Sequence, residues 1–194
     1  MFSEKHTLCQ NNERTVSIDK IDLKLYSNIY IVVYTIKNGG NFMDSIVIAC
    51  ETLKDELNAA VNITGSRLPI IWIDSKYHLD PGGLRKKLQQ EIDSITNVKN
   101  ILLAFGCCGN ALIGIKATTA NLIIPKTDDC ISMVLSKQGE KFKRLKKTYF
   151  LTKGWIESPR SLTEEYTRAV TRYGKRKAER IFKLMLNSYK YLML

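Results

Sequence analysis

Between Ser45 and Ser136 the chain alternates short apolar, β-branched runs with longer stretches whose apolar residues return every three or four positions. The first pattern belongs to buried strands and the second to helices with one covered face. Ser45–Ala49 (SIVIA) predicts a strand, and Glu51–Asn62 a helix with Leu53, Leu57, Ala60 and Val61 on one side. Leu68–Ile73 (LPIIWI) predicts the second strand. Pro81 then opens a helix in which Leu84, Leu88, Ile92 and Ile95 recur at helical spacing, proline being tolerated at a first helical position. Ile101–Phe105 (ILLAF) predicts the third strand. After Gly106–Gly109, Asn110 is placed to cap a short helix ahead of a fourth strand at Asn121–Ile124. Asp128 or Asp129 caps a further helix that buries Ile131, Val134 and Leu135.

Strands that alternate with helices predict an α/β fold: a three-layer, mostly parallel, Rossmann-like sheet with helices on both faces. Residues 43–152 make up this domain, with Thr148–Leu151 as one more strand, and residues 153–194 form a basic helical segment packed on it. From Ser161 one or two helices run to the end, with Tyr166, Val170, Tyr173, Ile181, Leu184, Met185 and Leu192 on the covered side. Residues 1–42 fit the alternation poorly. The codons of Gly39-Gly40 can spell a ribosome-binding element just before Met43, so the expectation is that translation starts at Met43 and residues 1–42 are an upstream extension. A real edge strand at Ile29–Ile36 is the alternative.

Composition changes this picture only through where the charge lies. The 194 residues are 44% hydrophobic with a formal charge of +11, a globular balance that excludes a disordered or fibrous chain. Residues 43–136 hold 9 basic and 10 acidic side chains, whereas residues 137–194 hold 16 and 5. The excess is thus confined to the last third, and chemistry in the neutral middle is not organised around a basic groove. The apolar run Leu25–Ile36 is broken by Ser27, Asn28 and Thr35, too short to span a bilayer, and the start lacks the pattern of a secretory signal. Five cysteines with no framework spacing point to a reducing cytoplasm.

In open parallel sheets, sites form at the carboxyl ends of strands. Cys50 follows the first predicted strand, Cys107 and Cys108 the third, and Cys130 the fourth, while His78 lies in the loop after the second, near Asp74 and Asp80. Cys9 stands apart in the extension. Thiols and an imidazole from four loops suit zinc or an iron–sulfur cluster. Adjacent Cys107 and Cys108 can seldom both reach one ion. A thiol pocket without metal, and cysteines that merely fill the core, remain the alternatives. The turn Gly106-Cys107-Cys108-Gly109-Asn110 bends tightly enough to approach a ligand or cofactor, and a helix starting beyond it would lower the pKa of Cys107 or Cys108. A plain tight turn is the other reading. Asp128 and Glu51 are the candidate catalytic carboxylates, each beside a cysteine. His78 with Asp74 or Asp80 is a candidate acid–base pair. No phosphate-loop, dinucleotide-loop or HExxH motif is present.

The basic segment has a cluster at Lys141, Lys143, Arg144, Lys146 and Lys147 and a stripe at Arg168, Arg172, Arg176 and Arg180, spaced by four along one helical face. The stripe suits an acidic protein surface. Nucleic acid is the weaker alternative, because the tyrosines there serve mainly as core.

IVIACETLKDEL, YHLDP-x-x-L, LLAFGCCGNALIGI, LIIPKTDDCISMVL, TYFLTKGWIES and EYTRAVTRYGKRKAERIFKLMLNSYKYL, in this order, resemble the prokaryotic domain of unknown function 1638 family. The resemblance runs from about Met43 to the C-terminus. It implies a shared site in which Cys50, Cys108 and Cys130 match the family's cysteine motifs and His78 its loop histidine, with Cys107 a spare neighbour. It also implies a role beside corrinoid-dependent methyltransferases in one-carbon or methylamine metabolism, with a methyltransferase or corrinoid protein as partner and a corrinoid reached through it. Family members continue past the tyrosine matching Tyr189, so this chain is expected to be shortened at its C-terminus.

Overall fold

Strand β1, Ser45–Cys50, is buried at almost every position. It lies at the centre of a four-stranded parallel sheet in a computed structural model that describes residues 44–136 and 142–193. The upstream extension with Met43, the alternative strand Ile29–Ile36, Cys9, Lys137 and Lys141 lie outside the described residues. β1 leads through a 3₁₀ turn (Glu51–Leu53) into α1, Lys54–Thr64, which Gly65 ends in a left-handed conformation. β2 is Ile70–Ile73 and α2 is Pro81–Ser94, with Pro81 in its first turn and the Asp80 carboxylate accepting from Gly83 N at 2.9 Å. β3 is Asn100–Ala104 and β4 is Asn121–Ile123. The strand order is β2-β1-β3-β4, all parallel, with Ile48 opposite both Ile71 and Leu103.

The period-two alternation of strands sorts the core onto two faces. Val47, Ala49, Leu102 and Ala104 pack with Leu53, Leu57 and Ala60 on one side. Ile48, Ile101, Leu103 and Phe105 pack with Leu84, Leu88 and Ile92 of α2 on the other. The three-layer α/β expectation is therefore met, and each fully buried Leu, Ile or Phe contributes roughly 1.5–3 kcal/mol of transfer free energy.

Several expectations are corrected. Residues 108–114 form turns instead of a helix, because Gly109 (φ 67°), Asn110 (φ 68°) and Gly114 (φ 82°) all take left-handed backbone that a right-handed helix cannot contain. The helix after β4, α3 at Cys130–Leu135, is capped by Asp129 and buries Cys130 and Met133, while Leu135 is exposed. β5, Thr148–Phe150, does not join the main sheet. It pairs in parallel with β6, Tyr191–Met193, so the last described element is a strand and not a helix.

After the short helix α4, Lys153–Ile156, come α5, Leu162–Tyr173, and α6, Lys175–Leu186. Gly174 (φ 79°) separates these two and folds them against each other, with the Tyr166 and Phe182 rings edge to face at 5.2 Å. The apolar side expected to be buried is largely open: Leu184 is 70%, Met185 50% and Ile181 43% exposed, and Tyr173 and Leu192 are also exposed. The four-residue arginine spacing is broken at the same glycine. Arg168 and Arg172 ride on α5, Arg176 and Arg180 on α6, and one continuous helical stripe does not exist. Among the described residues no helix is long and apolar enough to cross a membrane.

Candidate functional site

The chain leaves β1 toward β2 on one side and returns to β3 on the other. The carboxyl ends of β1 and β3 therefore bound the point where an open parallel sheet leaves a crevice for ligands. Cys50 ends β1 there, and the Gly106–Asn110 loop leaves β3 there. Two further elements reach the same place: the 3₁₀ turn Ser75–Leu79 after β2, carrying His78, and the start of α3, carrying Cys130.

Two contacts define the site. Cys50 Sγ lies 3.1 Å from His78 Nε2 and 3.0 Å from Thr52 Oγ1, and those last two are 3.3 Å apart. Cys108 Sγ lies 3.4 Å from Cys130 Sγ. Cys50, His78 and Cys108 line one small cavity of about 10 Å³ with Phe105, Ile73 and Leu84. Cys50, Cys108 and Cys130 are free thiols. Cys50 packs in the core of the α2 face and Cys130 in that of the α1 face, and Cys108 touches both.

Close approach of backbones makes this possible. The Cα of Gly106 lies against the backbone of Asp129, where a Cβ would stand 2.1 Å from the Asp129 carbonyl carbon. Cys107 N donates to Thr127 O at 3.0 Å and Cys108 N to Asp128 O at 3.3 Å, prolonging the β3 and β4 pairing past the strand ends. These loop N–H groups are thus already bonded. Gly109 packs on Pro81, and the Asn110 carbonyl accepts from Arg85 Nη2 at 2.8 Å. Of the two carboxylates beside cysteines, Glu51 accepts from Ser75 N at 3.4 Å, and Asp128 is exposed and meets the loop through its carbonyl.

The electrostatics differ from the expectation built on a helix start. Cys108 does sit below the ordinary thiol value, but the cause is the hydrogen bond from Cys130; Cys130 is raised by the same bond and by burial. Burial pushes the Cys50 thiol up to about 11. His78 is lowered because partial burial of its ring disfavours the charged form, although the residue as a whole is exposed. It is not paired with Asp74 or Asp80. Those carboxylates cap turns, accepting from Lys76 N and Gly83 N. In metal-free protein at pH 8, Cys108 is expected to react first with iodoacetamide. Cys50 should react about a hundredfold more slowly than an ordinary thiol, its rate still climbing as pH rises toward about 11. Peptide mass spectrometry over a pH series measures both, and equal rates at pH 8 would contradict the assignment.

The family described as protein of unknown function (DUF1638) matches residues 72–194. That span is more than half of the chain and contains His78, Cys108 and Cys130. The chain belongs to the DUF1638 family. No curated protein and no solved structure matches the chain.

Within the DUF1638 span, the TYFLTKGWIES motif gains a physical role that the sequence did not suggest. Thr152 Oγ1 donates to Thr52 O at 2.7 Å, a Cβ on Gly154 would stand 2.8 Å from that same oxygen, and Ser158 Oγ bonds Ser75 Oγ at 2.7 Å. α4 is thereby clamped over the two 3₁₀ turns, and Trp155 stands edge to face with His78 at 5.1 Å. Thr52 and Trp155 were missed as site residues. The one available signal was the lone tryptophan and glycine among polar neighbours in that motif.

Among the described residues no group of three or more His, Cys, Asp or Glu side chains is arranged to hold a metal ion as it stands. In a tetrahedral zinc site the sulfur to sulfur edge is about 3.8 Å and the sulfur to nitrogen edge about 3.6 Å. The 3.4 Å and 3.1 Å pairs here would need to open by roughly half an ångström or less. Three thiols and an imidazole are chemically the soft set that zinc or iron takes.

Proposed function

We propose that Cys50, Cys108, Cys130 and His78 hold one soft metal ion, and that the protein serves corrinoid-linked methyl transfer in one-carbon metabolism. The observation that carries the reading is the convergence of these donors from four separate strand ends onto the crevice where the sheet changes direction. A cavity of about 10 Å³ favours a single ion over an iron–sulfur cluster. When bound, such an ion would supply Lewis acidity and keep its sulfur ligands as thiolates. The chain's own part is to place the donors: Thr52 contacts both Cys50 and His78, the Gly106 contact holds Cys108 to Cys130, and Trp155 of α4 packs edge to face on the imidazole. Because Cys50 is a protonated thiol at neutral pH, ligation must release its proton, and affinity should rise with pH. The link to corrinoid methyltransferases rests on the family resemblance alone.

A second reading, a non-catalytic accessory protein docking a methyltransferase or corrinoid protein, is favoured by the open apolar face of α6 at Ile181, Leu184 and Met185. Anaerobic purification followed by metal and sulfide analysis separates the two. About one equivalent of metal without sulfide is expected in the wild type, falling at least tenfold in Cys108→Ser. A metal-free wild type would sink the metal site and leave the accessory reading.

A further inference from the structure

Away from the thiols, the turn before β5 forms one wall of an open groove of about 490 Å³ that the function above does not use. The residues that line it combine two chemistries, the cationic Arg144, Lys146 and Lys147 and the aromatic Tyr149, Phe150 and Tyr189. We propose that this groove binds a phosphate ester carrying a flat aromatic ring, a mononucleotide in the simplest case.

The cations are not equivalent. Arg144 is ion-paired to Asp129 and lies over the Phe150 ring, 5.5 Å from its centre, so it is committed and held still. Lys146 and Lys147 are exposed and form no ion pair with a carboxylate among the described residues. Two lysines adjacent in the chain and without a carboxylate partner among the described residues suit a dianionic phosphate, which Lys binds as a point charge. The Lys147 backbone is itself unusual, a non-glycine residue at φ 57°. Strain of this kind persists where the surroundings enforce it, and it clusters at ligand sites. Here β6 enforces it: Lys147 O accepts from Lys190 N at 2.7 Å and from Tyr191 N at 3.1 Å. The same two bonds bring Tyr189 to the groove.

The rings are likewise set in advance. Tyr149 and Tyr189 meet edge to face, centroids 5.0 Å apart at 87°, and Phe142 braces Phe150 at 5.8 Å. Rings fixed before binding lose little entropy when a planar ligand stacks on them. Inorganic phosphate would use the lysines but leave the rings, Ile131 and Leu145 idle. A longer strand would need the basic surface to continue, yet the arginines of α5 and α6 do not form one stripe. The volume falls within the range of small-ligand pockets.

The test is calorimetric titration at low salt with AMP, GMP, CMP and UMP, with inorganic phosphate and adenosine as partial probes and a short single-stranded RNA as a rival. At least one mononucleotide is expected to bind about tenfold or more tighter than phosphate or adenosine. Lys146→Gln combined with Lys147→Gln should weaken that nucleotide by about tenfold and leave adenosine unchanged, and Tyr189→Ala should weaken both. Melting temperatures confirm that each variant is folded. The proposal is overturned if no mononucleotide exceeds phosphate, if the lysine variant binds like wild type, or if the RNA binds far more tightly with a steep salt dependence.

Discussion

Gly106→Ala is expected to cost about 3 kcal/mol or more of stability and to lower the melting temperature by roughly 6–12 °C. The added methyl would stand 2.1 Å from the Asp129 carbonyl carbon, 2.2 Å from its Cα and 2.5 Å from its oxygen. All three are backbone atoms, so no side chain can swing aside. Asp129 is anchored as well: its carboxylate accepts from Ser132 N and pairs with Arg144, and its carbonyl accepts from Met133 N at 3.0 Å. The Gly106–Asn110 loop must therefore lift away, drawing Cys108 from Cys130. Gly114→Ala is the control, since nothing lies within 4 Å of its added methyl and only the φ of 82° is unfavourable. That backbone penalty is about 1–2 kcal/mol. Thermal and urea denaturation of the two variants decide the matter, and a Gly106→Ala protein as stable as Gly114→Ala would refute the close contact.

Phe105→Ala should lose about 3–5 kcal/mol, as expected for a large ring deleted from a tight core. Phe105 is 1% exposed and packs with Ile48, Leu103 and α2. It also lines the small cavity beside Cys50 and Cys108, which gives the variant a second readout. With the ring gone, the cavity enlarges next to Cys50, and iodoacetamide should reach that thiol faster than in the wild type. Leu88→Ala removes a side chain buried on the same sheet face but not lining the cavity. It should cost about 2–5 kcal/mol and leave Cys50 protected. Equal labelling of Cys50 in both variants would mean that the ring does not guard it.

The elements most legible in the sequence are those whose burial is set by local period. The four apolar positions Leu84, Leu88, Ile92 and Ile95 behind Pro81 are all buried, because a 3.6-residue period and a proline at the first turn both point to one helix. The candidate site was half legible. The rule that loops at strand ends converge is topological, so it found Cys50, His78, Cys108 and Cys130. Thr52 and Trp155 escaped it because their roles come from a contact across a hundred residues, Thr152 on Thr52. Asn110 failed as a helix start since its segment is too short for periodicity to outweigh three left-handed residues. The pairing of β5 with β6 joins positions more than forty residues apart and leaves no local trace. At α6 the pattern identified an apolar face, but amphipathic spacing says only that a face is apolar and not what, if anything, lies against it.

Among the described residues Cys108 is the side chain that packs against both core clusters. A parallel sheet otherwise insulates its two faces, and changes made on opposite sides of it tend to add as independent increments. At Cys108 that independence ends. Alkylation, oxidation or ligation of this one sulfur acts on the α1 layer through Cys130 and on the α2 layer through the cavity beside Cys50, making it the point where the two halves of the core share a single thermodynamic account.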